Sequence, residues 1–81
     1  MEFLIISPGI QLEEAISLAE RVRTLISELE IEHGEQYIVV TVSAGLTTLE
    51  SGDMGVVPMM IRADRALYMA KEQGRNRVVA L

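Results

Sequence analysis

Apolar and polar positions recur along this chain with two different periods. Glu2–Ile6 carries Phe3 and Ile5 on one strand face and Leu4 and Ile6 on the other, which predicts an interior strand covered on both sides. Ser7, Pro8 and Gly9 then break it. Over residues 12–29 the period becomes helical. Leu12, Ala15, Ile16, Ala19, Val22, Ile26 and Leu29 form an apolar stripe, with Glu13, Ser17, Glu20, Thr24 and Glu28 toward water. Residues 30–35 predict an acidic turn with a solvated His33. Alternation returns over residues 36–46, a second strand in which Gly45 marks a bulge or a close backbone approach. A loop over residues 47–57 turns at Ser51, Gly52 and Asp53. Met59 or Met60, Ala63, Leu67 and Ala70 predict a second helix, entered through Pro58 and stopped by Gly74. Residues 77–81 close the chain as a short strand. The order strand, helix, strand, helix, strand predicts an α+β fold with helices packed on a sheet.

Composition narrows the function classes. A chain of 81 residues forms one small domain that buries only ~60% of its unfolded surface. With 49% hydrophobic but 4% aromatic residues, its core is expected to be aliphatic, with Met54, Met59, Met60 and Met69 as flexible filler. The absence of cysteine excludes disulfides and thiolate metal sites. No apolar run approaches the ~20 residues that span a bilayer, so no membrane segment is expected and the setting is expected to be cytoplasmic. The net charge is −5, divided as −8 over residues 1–53 and +3 over residues 54–81. An acidic chain without exposed aromatic platforms argues against binding a nucleic-acid polymer, whereas a local basic end suits a small anionic ligand.

That basic end holds the candidate chemistry. On a continuous helix Asp64, Tyr68 and Lys71 lie four and three residues apart and share a polar face. Arg75 follows the stop at Gly74, so Lys71 and Arg75 can converge just off the helix end. Two readings are open. Cations beside a helix C-terminus gain ~0.3–1 kcal/mol each from the dipole and need no ligand. Alternatively, an ammonium and a planar guanidinium form a phosphate clamp.

Three stretches resemble a known family. Ala63-Asp64, Ala66-Leu67-Tyr68, Ala70-Lys71 and Gly74-Arg75-Asn76 are similar to the end of a GGDEF domain, the diguanylate cyclase catalytic module. Residues 40–45, VTVSAG, resemble the strand before that helix, and residues 3–23 resemble the strand and helix after the signature motif. Glu2 and Phe3 match the last two letters of that motif, and Met1 falls where the family carries its metal-binding acid. The resemblance therefore implies a partial domain over residues 1–81, beginning inside the signature hairpin, with a palm-like, ferredoxin-related sheet.

For function, the resemblance implies condensation of two GTP molecules into cyclic di-GMP, with Mg2+ as cofactor of the complete domain. Lys71 and Arg75 match the pair on the terminal phosphates, and Glu2 a motif position near nucleotide and metal. Asp64 and Tyr68 match structural signature positions, and Asn76 is expected to satisfy turn backbone. Arg21 matches a secondary product-inhibition contact, set against a plain surface arginine among glutamates. This chain alone is expected to be inactive, to hold no complete metal site, and to complete its sheet as a homodimer or strand-exchanged oligomer. The competing expectation is a non-catalytic remnant that binds nucleotide or a protein partner.

Overall fold

The computed structural model describes residues 2–6, of which 3–6 in backbone only, and residues 11–81. The faces expected for Phe3 to Ile6, the Ser7-Pro8-Gly9 break and Met1 lie outside what it describes. Its elements are β1 (Glu2–Ile6), α1 (Leu12–Ser27), β2 (Glu30–His33), β3 (Gln36–Val39), β4 (Ser43–Thr47), α2 (Val57–Glu72) and β5 (Arg77–Ala80). The architecture is α+β, and the expected order is present with a hairpin inserted before β4.

The three parallel strands run in the order β1-β4-β5. β4 is central because both its faces are lined with side chains that exclude water, and all five of its residues are buried. Its alternation sends Leu46 toward Ala15 and Ala19 of α1, with Ile16, Val78 and Ala80 around them. Gly45 points the other way, toward Ala63 and Leu67 of α2. The two helices thus cover opposite faces of the sheet. α2 lies close because its inner face is small: Ala63, Ala66 and Ala70 are fully buried, beside Met59 and Leu67. A Cβ on Gly45 would overlap the Ala63 carbonyl oxygen and the Leu67 nitrogen, so the close approach anticipated there is what the glycine provides.

Among the described residues β1 pairs only with β4, in keeping with the incomplete sheet expected. Three expectations need correction besides the stripe of α1. Residues 30–33 are a strand and not a turn: β2 pairs antiparallel with β3, Ile31 opposite Ile38, around the two-residue loop Gly34-Glu35 with Gly34 at φ +65°. The long strand over residues 36–46 is consequently two strands, broken at residues 40–42. All eight hairpin residues are exposed, and the radius of gyration is 14.3 Å. A compact chain of this length would have a radius of about 12 Å, so the hairpin stands off the body. Finally, Met54 and Met60 are exposed, leaving Met59 as the buried methionine and Met69 half-buried.

α1 differs most from its predicted stripe. Only Ala15 and Ala19 are buried, whereas Leu12, Val22 and Leu29 are exposed along with Leu18 and Leu25. The helix therefore rests on the sheet through two small side chains and their half-buried neighbours Ile16 and Ile26.

Candidate functional site at the strand N-termini

The register places Glu2, Ser43 and Arg77 in one row, at the N-terminal ends of all three parallel strands. Because α2 runs back against the strands, its C-terminus arrives at this same edge. The helix stops through Gly74: its N–H donates to the Lys71 carbonyl at 3.4 Å, and the Arg75 N–H donates to the Ala70 carbonyl at 2.9 Å. That pair of bonds is a Schellman cap, with Gly74 at φ +115°. Arg75 and Asn76 continue at φ +64° and +45°, uncommon for residues with a Cβ. A non-glycine residue held left-handed costs about 1–3 kcal/mol, and such positions gather at functional sites.

The turn is pinned from strand β4 and from helix α1. Asn76 N–H donates to the buried Ser43 hydroxyl at 3.2 Å, and the Asn76 side-chain oxygen accepts from Arg23 Nη1 at 3.0 Å. Arg23 is itself held by Glu20 on its own helix, at 2.9 Å. Arg77 Nε caps the Arg75 carbonyl at 3.0 Å. Asn76 therefore does more than satisfy local backbone, since it ties α1 to the end of α2. Ser43 and Arg23 had no chemical signature of their own in the sequence. Their only signal was membership of the resembling stretches at residues 40–45 and 3–23.

Within this frame Lys71 Nζ reaches Glu2 Oε1 at 2.5 Å, both groups remaining partly exposed. The Lys71 hydrogen bond and charge hold the Glu2 carboxyl below its usual range, and the Arg75 charge adds to the effect. Glu2 thus lies in the field of both cations. Asp64 and Tyr68 are exposed on α2, and neither makes a side-chain hydrogen bond among the described residues. Arg21 is exposed on α1, where it borders an open groove of about 350 Å3 with Glu20, Thr24 and Leu25. Among the described residues no three of His, Asp and Glu gather to hold a metal. No described helix is long and apolar enough to cross a membrane.

A second polar cluster, which the residue pattern did not reveal, closes the opposite edge of the sheet. Arg62 donates to both Asp53 oxygens at 2.9 and 2.8 Å, to Thr47 Oγ1 at 2.9 Å and to the Thr48 carbonyl at 2.7 Å. The Thr47 hydroxyl donates in turn to the Leu81 carbonyl at 2.9 Å. This clamp fixes the loop before α2 to its helix. The Arg62 hydrogen bonds, followed by the Glu50 backbone N–H, depress the Asp53 pKa to about 2. A depressed acid stabilises the fold fully above its unfolded value near 3.8, and that contribution disappears as pH falls through about 2. Acid titration followed by circular dichroism should show a loss of stability between those values in the wild type, and no such step in Asp53→Asn.

Known proteins resemble this chain over most of its length. The family profile described as "Diguanylate cyclase, GGDEF domain" matches residues 1–77. "Response regulator PleD" of Caulobacter vibrioides is 38% identical over 81 residues, covering 96% of this chain and 18% of the relative. "Diguanylate cyclase DgcP" of Pseudomonas aeruginosa is 36% identical over 77 residues, covering 95% and 11%. A "Diguanylate cyclase" of Vibrio cholerae is 36% identical over 76 residues, covering 94% and 23%. The chain thus spans less than a quarter of the length of these relatives. With a family profile matched over almost its whole length, the chain belongs to the GGDEF, or diguanylate cyclase, family.

Proposed function

We propose that this chain is the phosphate-gripping part of a diguanylate cyclase domain, which binds GTP through Lys71 and Arg75 and does not by itself form cyclic di-GMP. The observation that carries the proposal is the Glu2 carboxylate, ion-paired with Lys71 and lying in the field of Arg75 at the capped end of α2. A carboxylate is the simplest mimic of a phosphate oxygen. A triphosphate tail brings more negative charge to the same cations and displaces it. Lys71 then neutralises one oxygen as a compact point charge, while the Arg75 guanidinium grips two oxygens at once. The left-handed turn at Arg75 and Asn76, tied down by Ser43 and Arg23, fixes where that guanidinium starts.

Joining two GTP molecules requires a 3′-hydroxyl to attack an α-phosphate as pyrophosphate leaves. That step depends on divalent-metal charge neutralisation by carboxylates. The described residues do not fit such a metal: they present no carboxylate cluster, and Glu2 is engaged by Lys71. The sequence has methionine at position 1, and a thioether is too soft to replace a carboxylate on Mg2+. Incubating the 81-residue chain with GTP and Mg2+ should yield no cyclic di-GMP by chromatography, while equilibrium binding still registers GTP. Absent binding would refute the first half of the proposal, and product formation the second. The open edge of β1 is one place where a second copy could complete the sheet.

A further inference from the structure

Arg75 does not hold its own backbone in place. Its side chain is exposed, and its φ of +64° is followed by +45° at Asn76. Asparagine enters that region readily because its short amide bonds locally, whereas an arginine stays there only when its surroundings fix it. The Arg75 N–H donates to the Ala70 carbonyl at 2.9 Å, and the Arg75 carbonyl accepts from Arg77 Nε at 3.0 Å. The next residue, Asn76, is anchored twice, through its backbone N–H on Ser43 and through its side chain. The side-chain anchor comes from 53 residues away. Arg23 on α1 presents Nε and Nη2 to one Glu20 oxygen, at 3.0 and 2.9 Å, and Nη1 to the Asn76 oxygen at 3.0 Å. A guanidinium is planar and rigid, so the hold of Glu20 on one edge aims the remaining donor. Glu20 also offsets the Arg23 charge, which makes Arg23 a weaker attractor of anions than Lys71 or Arg75.

We infer that Arg23 is a positioning residue for the phosphate grip, oriented by Glu20 and acting through Asn76 on the Arg75 that meets the nucleotide. The inference rests on the reading of Lys71 and Arg75 proposed above, and extends it to a helix that carries none of the gripping groups. The reason lies in where the turn can give way. Without the Arg23 bond, Asn76 keeps only its backbone bond to Ser43, and Arg75 loses one of the constraints that oppose its return to negative φ. The root of the Arg75 side chain then moves, and its guanidinium must be ordered afresh each time a triphosphate binds. Lys71 is placed differently, because it projects from within the hydrogen-bonded turns of α2. Arg23 should therefore matter to what Arg75 contributes and not to what Lys71 contributes. Neither a direct phosphate contact nor a general loss of stability would produce that division.

Calorimetric titration of inorganic triphosphate into the 81-residue chain at low salt tests this, with urea denaturation reporting whether each variant is folded. Arg23→Ala should weaken binding about fivefold, the net worth of one hydrogen bond. Arg23→Met keeps the apolar stem, should show the same loss, and stands in if Arg23→Ala does not fold. In a Lys71→Ala background the loss of Arg23 should cost the same factor, and in an Arg75→Ala background it should cost nothing further. In the ligand-free chain, hydrogen exchange at the Asn76 amide should quicken in Arg23→Ala. Undiminished binding in both Arg23 variants, while the wild type binds, overturns the inference and leaves the nucleotide reading standing. Equal losses in the two backgrounds also overturn it, because Arg23 would then be a direct contact or a general stabiliser. Unchanged exchange at Asn76 overturns the route through that residue. A wild type that does not bind triphosphate overturns the nucleotide reading and this inference with it.

Discussion

Gly45→Ala should unfold this chain or destabilise it by about 3 kcal/mol or more, at the upper end of what overpacking costs. The added methyl meets backbone atoms of α2 and no movable side chain, with Leu67 Cα at 2.8 Å and two nearer atoms. Relief requires lifting α2 off β4. That would uncover Ala63, Ala66 and Ala70, now wholly buried, and would shift Lys71 and Arg75 away from Glu2. Urea denaturation of wild type and Gly45→Ala checks this directly. A control at Gly52, whose Cβ position is open but whose φ is +96°, should lose far less, because only backbone strain is incurred there. Equal losses at the two positions would mean that close helix–sheet contact is not what Gly45 provides.

Lys71→Ala/Arg75→Ala should abolish measurable GTP binding. Each charged hydrogen bond contributes roughly 1.5–3 kcal/mol, so losing two corresponds to a fall in affinity of about 10²–10⁴-fold. Because both residues are at the capped helix end and are at least partly exposed, the variant should keep its fold. Glu2→Gln should act in the opposite direction. It removes the anion that competes for Lys71 and should raise affinity for inorganic triphosphate by a few-fold at low salt, as expected for a partly exposed pair. Calorimetric titration of the three proteins settles both signs. Unchanged binding in the double variant would reduce the two cations to dipole partners of α2.

The sequence made some of this legible and concealed the rest for identifiable reasons. α2 was readable because its periodicity, Pro58 and Gly74 all give the same answer, and observed Val57–Glu72 falls within a residue or two of expectation. β1 and β5 were readable as short apolar runs, and the close approach at Gly45 from a glycine within a strand pattern. The β2–β3 hairpin was hidden because its acidic residues imitate a solvated turn, and Gly34-Glu35 lacks the usual asparagine or aspartate signal. α1 misled in another way. A helical stripe says that a face is apolar and does not say what covers it, and the sheet covers only the alanines. At the site, Lys71 and Arg75 announced themselves by type and spacing. Arg23, Ser43 and the Arg62–Asp53 clamp join residues far apart in sequence, so only the folded chain brings them together.

The central claim is that the capped end of α2 grips a nucleotide's phosphates. Nitrogen-15 NMR of the 81-residue chain during titration with GTP tests it most directly. The account predicts saturable shifts at the Gly74, Arg75 and Asn76 amides and at the Lys71 and Arg75 side-chain nitrogens, with smaller or absent shifts for guanosine lacking phosphate. GTP-dependent shifts confined to the groove beside Arg21, or none at all, would contradict it.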